Sequence, residues 1–295
     1  MNRERQAFVA ALFAVFLWST VATGFKLGLA VLQPLQLLLL GTLISTVVFV
    51  FAVTLKRSWQ IDRRHLIEAA CLGTVNPFLY YMVLFEAYER LPAQVAQPLN
   101  YTWAITLALL AVPVLGQRLA GRTIAGIFVS YAGVVVLLMQ DEVTTLPSVD
   151  WLGVALALGS TVLWAGYWLM NVRSHSDPTD LMALSFVIAL PLVAVACVLG
   201  PGFPSITWRS MFYGAWVGLI EMGVTFLLWQ RAMRLTGQAA RIGQLIFLSP
   251  FVSLVFINAV LGESIHTTSF LGLLIIVAGL ILTGGPRSSR NGAAA

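Results

Sequence analysis

A chain of 295 residues with 59% hydrophobic and only 10% charged residues, at a mean hydropathy of +0.89, excludes an ordinary soluble domain, in which about a quarter of residues are charged. The net charge of +5 does not point to nucleic acid, because the positive residues sit in short loops between apolar runs. Two cysteines, Cys71 and Cys197, both inside such runs, exclude a disulfide framework, and His65, His175 and His266 at run ends or in loops offer no metal site.

Apolar runs recur from end to end, each near the ~20 residues that a helix needs to cross a bilayer. They predict an all-α integral membrane protein of ten transmembrane helices, near 7–29, 34–55, 65–87, 92–115, 121–139, 151–171, 179–199, 210–232, 238–261 and 266–284. The first run follows Arg3 and Arg5 and so has the outline of a signal peptide. The tail "GGPRSSRNGAAA" predicts a disordered end. Sorting the 17 Lys and Arg by side leaves only Lys26, Arg90 and Arg209 opposite the N-terminus. The positive-inside rule then predicts both termini in the cytoplasm. Trp59, Trp151 and Trp208 at span ends read as interfacial anchors.

A shift of 146 residues aligns the chain with itself. Ala11, Leu12, Leu17 and Trp18 fall on Ala157, Leu158, Leu163 and Trp164; Leu115 and Gly116 fall on Leu261 and Gly262; Gly126, Ala132 and Gly133 fall on Gly272, Ala278 and Gly279. After a small gap, Leu91, Gln94 and Ala96 meet Leu235, Gln238 and Ala240. Five spans per half is an odd number, so the second half enters from the opposite side. The predicted organisation is a first five-helix repeat over 1–140, a periplasmic linker at 141–150, a second repeat over 151–285 and a cytoplasmic tail at 286–295. Five-plus-five inverted repeats are a recurring architecture of secondary transporters, with the substrate site near the midplane between halves. Because Trp18 has a twin, the first span is expected to belong to the mature fold.

Helical spacing sorts the polar residues into faces. Ser160, Trp164, Tyr167 and Asn171 share one face of the sixth span. Gly73, Asn76 and Tyr80 form a stripe in the third, and Gln97, Asn100 and Tyr101 in the fourth. Gly214, Gly218, Glu221 and Thr225 do so in the eighth, and Arg241 and Gln244 in the ninth. Polar faces on membrane helices point at protein or water. Gly214 and Gly218 read as helix packing. Asn76, Asn100 and Gln244 are compatible with interhelical hydrogen bonds alone or with a ligand site. Trp18, Trp164, Tyr80, Tyr101 and Trp103 lie at mid-span, which fits a cavity wall or a buried core, and the cavity is the reading preferred here. Pro77 and Pro98 break the backbone ladder beside these residues.

Glu221 stands alone in "WVGLIEMGVTFLLW". It lies about midway between Arg209 and Arg231, near the bilayer centre at about 1.5 Å rise per residue. A carboxylate at that depth costs several kcal/mol unless it meets water or a partner. Either it is a structural hydrogen-bonding group or it borders the cavity and meets a substrate ammonium or a coupling proton; the second is preferred.

The closing segment "LGESIHTTSFLGLLIIVAGLIL", its weaker copy "LGQRLAGRTIAGIFVSYAGVVVLL", and "LWST" and "LNYTW" complete a pattern over nearly the whole chain. It resembles the drug/metabolite transporter superfamily, EamA type, and within it the aromatic amino acid exporters. Many members carry an Arg in the second span, where this chain reads "LQLLLLGTLIST". The resemblance implies export of aromatic amino acids and similar amphiphiles from cytoplasm to periplasm through a central cavity, in a bacterial inner membrane. The residues expected to bind substrate are Trp18, Asn76, Tyr80, Gln97, Asn100, Tyr101, Trp103, Trp164, Tyr167, Glu221 and Gln244. The expected partners are that small-molecule substrate and membrane lipid, with no nucleic acid, no cofactor and a monomeric state. Cationic drugs or other neutral metabolites are the alternative cargo. A passive channel would need a continuous polar lining, whereas the polar residues here cluster near the centre. Enzymatic activity is not expected: Asp62, Asp141, Asp150, Asp177 and Asp180 all lie in loops or at span ends, and no Gly-x-Ser-x-Gly, His-Glu-x-x-His or phosphate-binding loop is present.

Overall fold

The computed structural model describes residues 3–56, 59, 61–116, 121–139, 150–174, 176–236, 242 and 244–284. These residues form helices and, among those described, no strand. Ten apolar helical segments follow one another: α1 (Arg3–Leu29), α2 (Pro34–Lys56), α3 (Arg63–Arg90), α4 (Ala93–Val114), α5 (Gly121–Leu138), α6 (Trp151–Arg173), α7 (Pro178–Leu199), α8 (Trp208–Leu235), α9 (Leu245–Leu261) and α10 (Thr267–Leu282). The first eight are long and apolar enough to cross a membrane, while α9 and α10 are shorter apolar helices. Residues 238–241, where the ninth span was expected to start, lie outside the described residues, as do 141–149 and 285–295 of the expected linker and tail.

Local chemistry sets the helix ends. Asp62, Asp150 and Asp177 accept from backbone N–H groups of the first turns of α3, α6 and α7. Thr207 and Ser210 form a capping box at the start of α8. Each satisfies amide donors that a helix start leaves unpaired. Large apolar side chains such as Phe13, Phe51, Phe128, Val195, Leu199 and Val255 are exposed on the outer surface, as a lipid-facing surface requires and an aqueous one does not.

The packing repeats itself. The α1–α8 contact has a counterpart in α6–α3, α3–α7 in α8–α2, and α4–α6 in α9–α1, while α2–α7 and α5–α10 map onto themselves. Both self-mapped pairs run antiparallel. Lys56 donates to Thr179 at 2.8 Å and Gln36 to the Gly202 carbonyl at 3.2 Å, at opposite ends of α2 and α7. In the α5–α10 pair, a side chain built at Gly279 would meet the Gly126 carbonyl at 2.5 Å, and one at Gly272 would meet the Leu137 backbone at 2.6 Å. Ser130 donates to the Ile276 carbonyl between them. Backbones approach this closely only where the side chains are small. Gly214 and Gly218 likewise seat against Leu40 and Ile44 of α2, and Ser45 donates to the Gly218 carbonyl at 2.8 Å. Gly73 is pressed against the Ser185 backbone of α7.

Among the described residues, four of the first eight helices are interrupted inside the bundle. α1 breaks at Thr20, and α4 at Thr102. α3 passes through a π-helical stretch, Thr74–Leu79, in which Asn76 takes an extended φ of −142° and ψ of 117°. Proline at 77 forces this, because a residue before proline is pushed out of the helical region. α8 has a π-helical turn, Val217–Glu221, then leaves helical geometry at Gly223. At one end of the bundle, the Glu263 carboxylate accepts from the backbone of Ala93 and Gln94 and so caps α4.

Replacing Gly272 by Leu is expected to destabilise the bundle by about 1–3 kcal/mol through overpacking, whereas Gly166→Ala, with nothing within 4 Å of the added carbon, should be neutral or stabilising by up to about 1 kcal/mol. Thermal unfolding of the detergent-purified variants measures both.

Candidate functional site

Irregular backbone at membrane depth is tolerated only where it is buried in protein or lines a cavity. The helix breaks obey this rule. Three of them border a central cavity of about 310 Å³, and the α3 break lies buried just before Tyr80 of its wall. Trp18, beside the α1 break, lines it, as do Tyr101 and Trp103 on either side of the α4 break and Glu221 at the α8 break.

The wall is mostly aromatic. Trp164 of α6 sits at its centre, with ring centroids 4.7 Å from Tyr80, 6.4 Å from Trp103, 6.1 Å from Trp168 and 5.9 Å from Phe226. Trp18 lies 5.4 Å from Trp229 and 5.7 Å from Phe226. These are edge-to-face and tilted geometries, which the ring quadrupoles favour. Polar groups enter at defined points. Asn100 donates to Ser160 at 2.9 Å and meets the Tyr80 hydroxyl at 3.3 Å, and Gln97 lines the cavity on the same helix.

Glu221 is nearly buried and lines the cavity. The Tyr81 hydroxyl donates to its Oε1 at 2.9 Å, and Trp18 provides a second hydrogen-bonding contact. No Lys, Arg or His is among the described lining residues.

Eight of the residues expected from the sequence therefore line one cavity: Trp18, Tyr80, Gln97, Asn100, Tyr101, Trp103, Trp164 and Glu221. Asn76 and Tyr167 lie outside the lining. Tyr167 stacks on Trp164 at 5.6 Å from behind, and Asn76 is buried facing the Tyr167 hydroxyl, its Oδ1 without a partner among the described residues. Arg241 and the side chain of Gln244 lie outside the described residues. The cavity also takes in Phe25, Tyr88, Trp168, Phe226, Trp229 and Met233, which the sequence reading did not select. One of these carried a signal: Trp168 follows Trp164 by one turn.

The profile of the EamA-like transporter family matches the chain twice, at residues 5–139 and 151–285. The chain belongs to the EamA-like transporter family. Among relatives of this EamA-like transporter, the uncharacterized transporter YvbV of Bacillus subtilis is 25% identical over all of this chain and 96% of its own length. The probable amino-acid metabolite efflux pump of Escherichia coli is 26% identical over 95% of both chains. The aromatic amino acid exporter YddG of Ancylobacter novellus is 24% identical over 61% of this chain and 63% of its own. A solved crystal structure superposes on 94% of this chain and 97% of its own with a TM-score of 0.67 at 21% identity, a likeness of fold. The two EamA-like repeats thus form a multi-pass membrane transporter with an aromatic cavity between their helices.

Tyr81→Phe leaves the Glu221 carboxyl short of its hydroxyl donor. It is expected to destabilise the protein by about 1–3 kcal/mol, the cost of an unsatisfied buried group, and Tyr81→Phe combined with Glu221→Leu should recover part of that loss. Thermal unfolding of single and double variants checks the coupling.

Proposed function

We propose that this EamA-like transporter exports aromatic amino acids and related small amphiphiles from the cytoplasm to the periplasm by alternating access. The observation that carries the reading is the cavity itself: rings from five helices around about 310 Å³, with one carboxyl at the wall. Flat aromatic groups stack on such walls, and amides such as Gln97 and Asn100 hydrogen-bond the backbone groups of an amino acid. The similarity to an Escherichia coli probable amino-acid metabolite efflux pump and an Ancylobacter novellus aromatic amino acid exporter supports the same cargo class.

In this reading all ten apolar helices cross the cytoplasmic membrane, both termini are cytoplasmic, and the halves 1–140 and 151–285 are inverted, joined through 141–150, with 286–295 as a tail. The antiparallel packing of the twin pairs α2–α7 and α5–α10 supports the inversion. The halves rock about the glycine-packed pairs while the broken helices open the cavity to each side in turn. Trp18, Tyr80, Gln97, Asn100, Tyr101, Trp103, Trp164 and Glu221 contact the substrate, with Asn76, Tyr167 and Gln244 as further members of the site.

A second reading is favoured by one observation. Glu221 is the only charged residue among the described lining residues, and a carboxylate within an aromatic cage suits an organic cation. Uptake into proteoliposomes of labelled phenylalanine, tryptophan, threonine and a quaternary ammonium dye, with and without a pH gradient, separates the two. The proposal expects phenylalanine and tryptophan to be carried and threonine to be poor; transport of the dye alone establishes the second reading.

Trp164→Ala is expected to weaken phenylalanine and tryptophan binding about 2- to 10-fold, the value of about 0.5–1.5 kcal/mol for an aromatic pair, with less effect on folded yield. Equal losses of binding and of folded protein would make the ring a core residue only. Glu221→Gln keeps the shape and removes the charge. Export that is weakened, or that loses its dependence on pH between about 5.5 and 8, supports a cavity role; export at the parent rate throughout makes Glu221 structural.

A further inference from the structure

A second cavity, of about 350 Å³, lies between α4 and α6. It is on the face of α6 turned away from the aromatic cavity: Trp164 and Trp168 point to one side, and Val162, Gly166, Leu169 and Arg173 to the other. Apart from Arg173 every described lining residue is apolar, with Val75, Leu110, Val114, Leu163 and Met170 in the rest of the wall. An apolar cavity of about 150 Å³ already takes benzene; this one is large enough for a longer hydrocarbon.

Three features define what fits. The first is length. From Val162 to Arg173 the groove follows α6 for roughly 16 Å at about 1.5 Å per residue, which is close to half of the ~30 Å hydrocarbon core. It therefore spans the depth of one leaflet. The second is Gly166. Glycine in a helix interior is destabilising relative to alanine, and Gly133, Gly214 and Gly218 offset this by seating a neighbouring helix within 3 Å. Gly166 seats nothing, since a side chain built there meets no atom within 4 Å. It keeps the groove deep in its middle. The third is Arg173, exposed at the end of the groove. It donates through Nη2 to the Val114 carbonyl near the C-terminus of α4. A guanidinium carries five N–H donors in a planar fork suited to phosphate, so this contact fixes the group at the mouth and leaves donors over.

We propose that this groove is a binding site for an anionic phospholipid, one acyl chain lying along Gly166 between α4 and α6 and the phosphate held by Arg173. The site is separate from the substrate cavity and does not depend on the cargo. In the ten-span topology proposed above, the lipid comes from the cytoplasmic leaflet. Through Val75, the chain packs beside the extended backbone of Asn76, so bound lipid supports the α3 break from outside.

The test is native mass spectrometry of the purified full-length protein in detergent, with equal amounts of phosphatidylglycerol and phosphatidylcholine added. The parent protein is expected to retain phosphatidylglycerol about tenfold over phosphatidylcholine, the scale of a charge-assisted hydrogen-bonded contact. Arg173→Gln should abolish the preference, and Gly166→Leu, which fills the groove, should lower retention of both lipids. Phenylalanine binding, followed by tryptophan fluorescence, should persist in both variants. Its absence from the parent protein would count against the proposed cargo and leave the lipid result standing. Equal retention of the two lipids by the parent, or undiminished retention by a folded Gly166→Leu variant, overturns the proposal, as does a protein dimer forming in place of bound lipid. If Gly166→Leu fails to fold, the Arg173→Gln comparison still decides.

Discussion

A carboxyl group buried in an apolar bundle has to find donors within the protein, and here the Tyr81 hydroxyl is one. The hydrogen bond from Tyr81 to Glu221 joins α3 of the first half to α8 of the second. It forms where both helices are irregular, one at Asn76 and the other at Gly223. Those irregularities leave backbone groups that lipid cannot satisfy. The two breaks and the carboxyl therefore have to lie inside the bundle, and packing them together opens the space that the aromatic rings line.

The remaining helices make that arrangement affordable. α5 and α10 touch backbone to backbone through Gly126, Gly133, Gly272 and Gly279, and α8 presses on α2 through Gly214 and Gly218. In a membrane there is little hydrophobic drive between helices, so close packing and interhelical hydrogen bonds carry the association. These glycine seams form a rigid frame, and the aromatic residues occupy the part of the bundle where helices stay apart. Small residues and large ones thus divide the interior between scaffold and site.

Much of this was legible in the sequence because the relevant signals are local. Hydropathy marks each apolar run, and small residues four apart mark the Gly214–Gly218 seam. The mid-span depth of Trp18, Trp164 and Glu221 put them in one layer, which is why eight of the expected residues line one cavity. The rest depends on rotation about helix axes after the breaks. Asn76 was placed by a helical stripe, but Pro77 takes it out of the helix and turns it towards Tyr167. Trp229 lies beyond the Gly223 break, so its approach to Trp18 follows from the angle between two half-helices.

The repeat also pairs the carboxyl with an amide. A shift of 146 residues, or 144 after the gap, carries Asn76 to positions 220–222, which bracket Glu221. The same interruption thus occurs in the third helix of each half, with an amide in one and a carboxyl in the other. Duplication supplies the symmetric frame, and divergence at one pair of positions makes the two walls chemically different. Asn76 and Tyr167 hold the wall behind Trp164, while Glu221, backed by Tyr81, faces the cavity. The asymmetry leaves one wall of the cavity with a carboxyl and the other without.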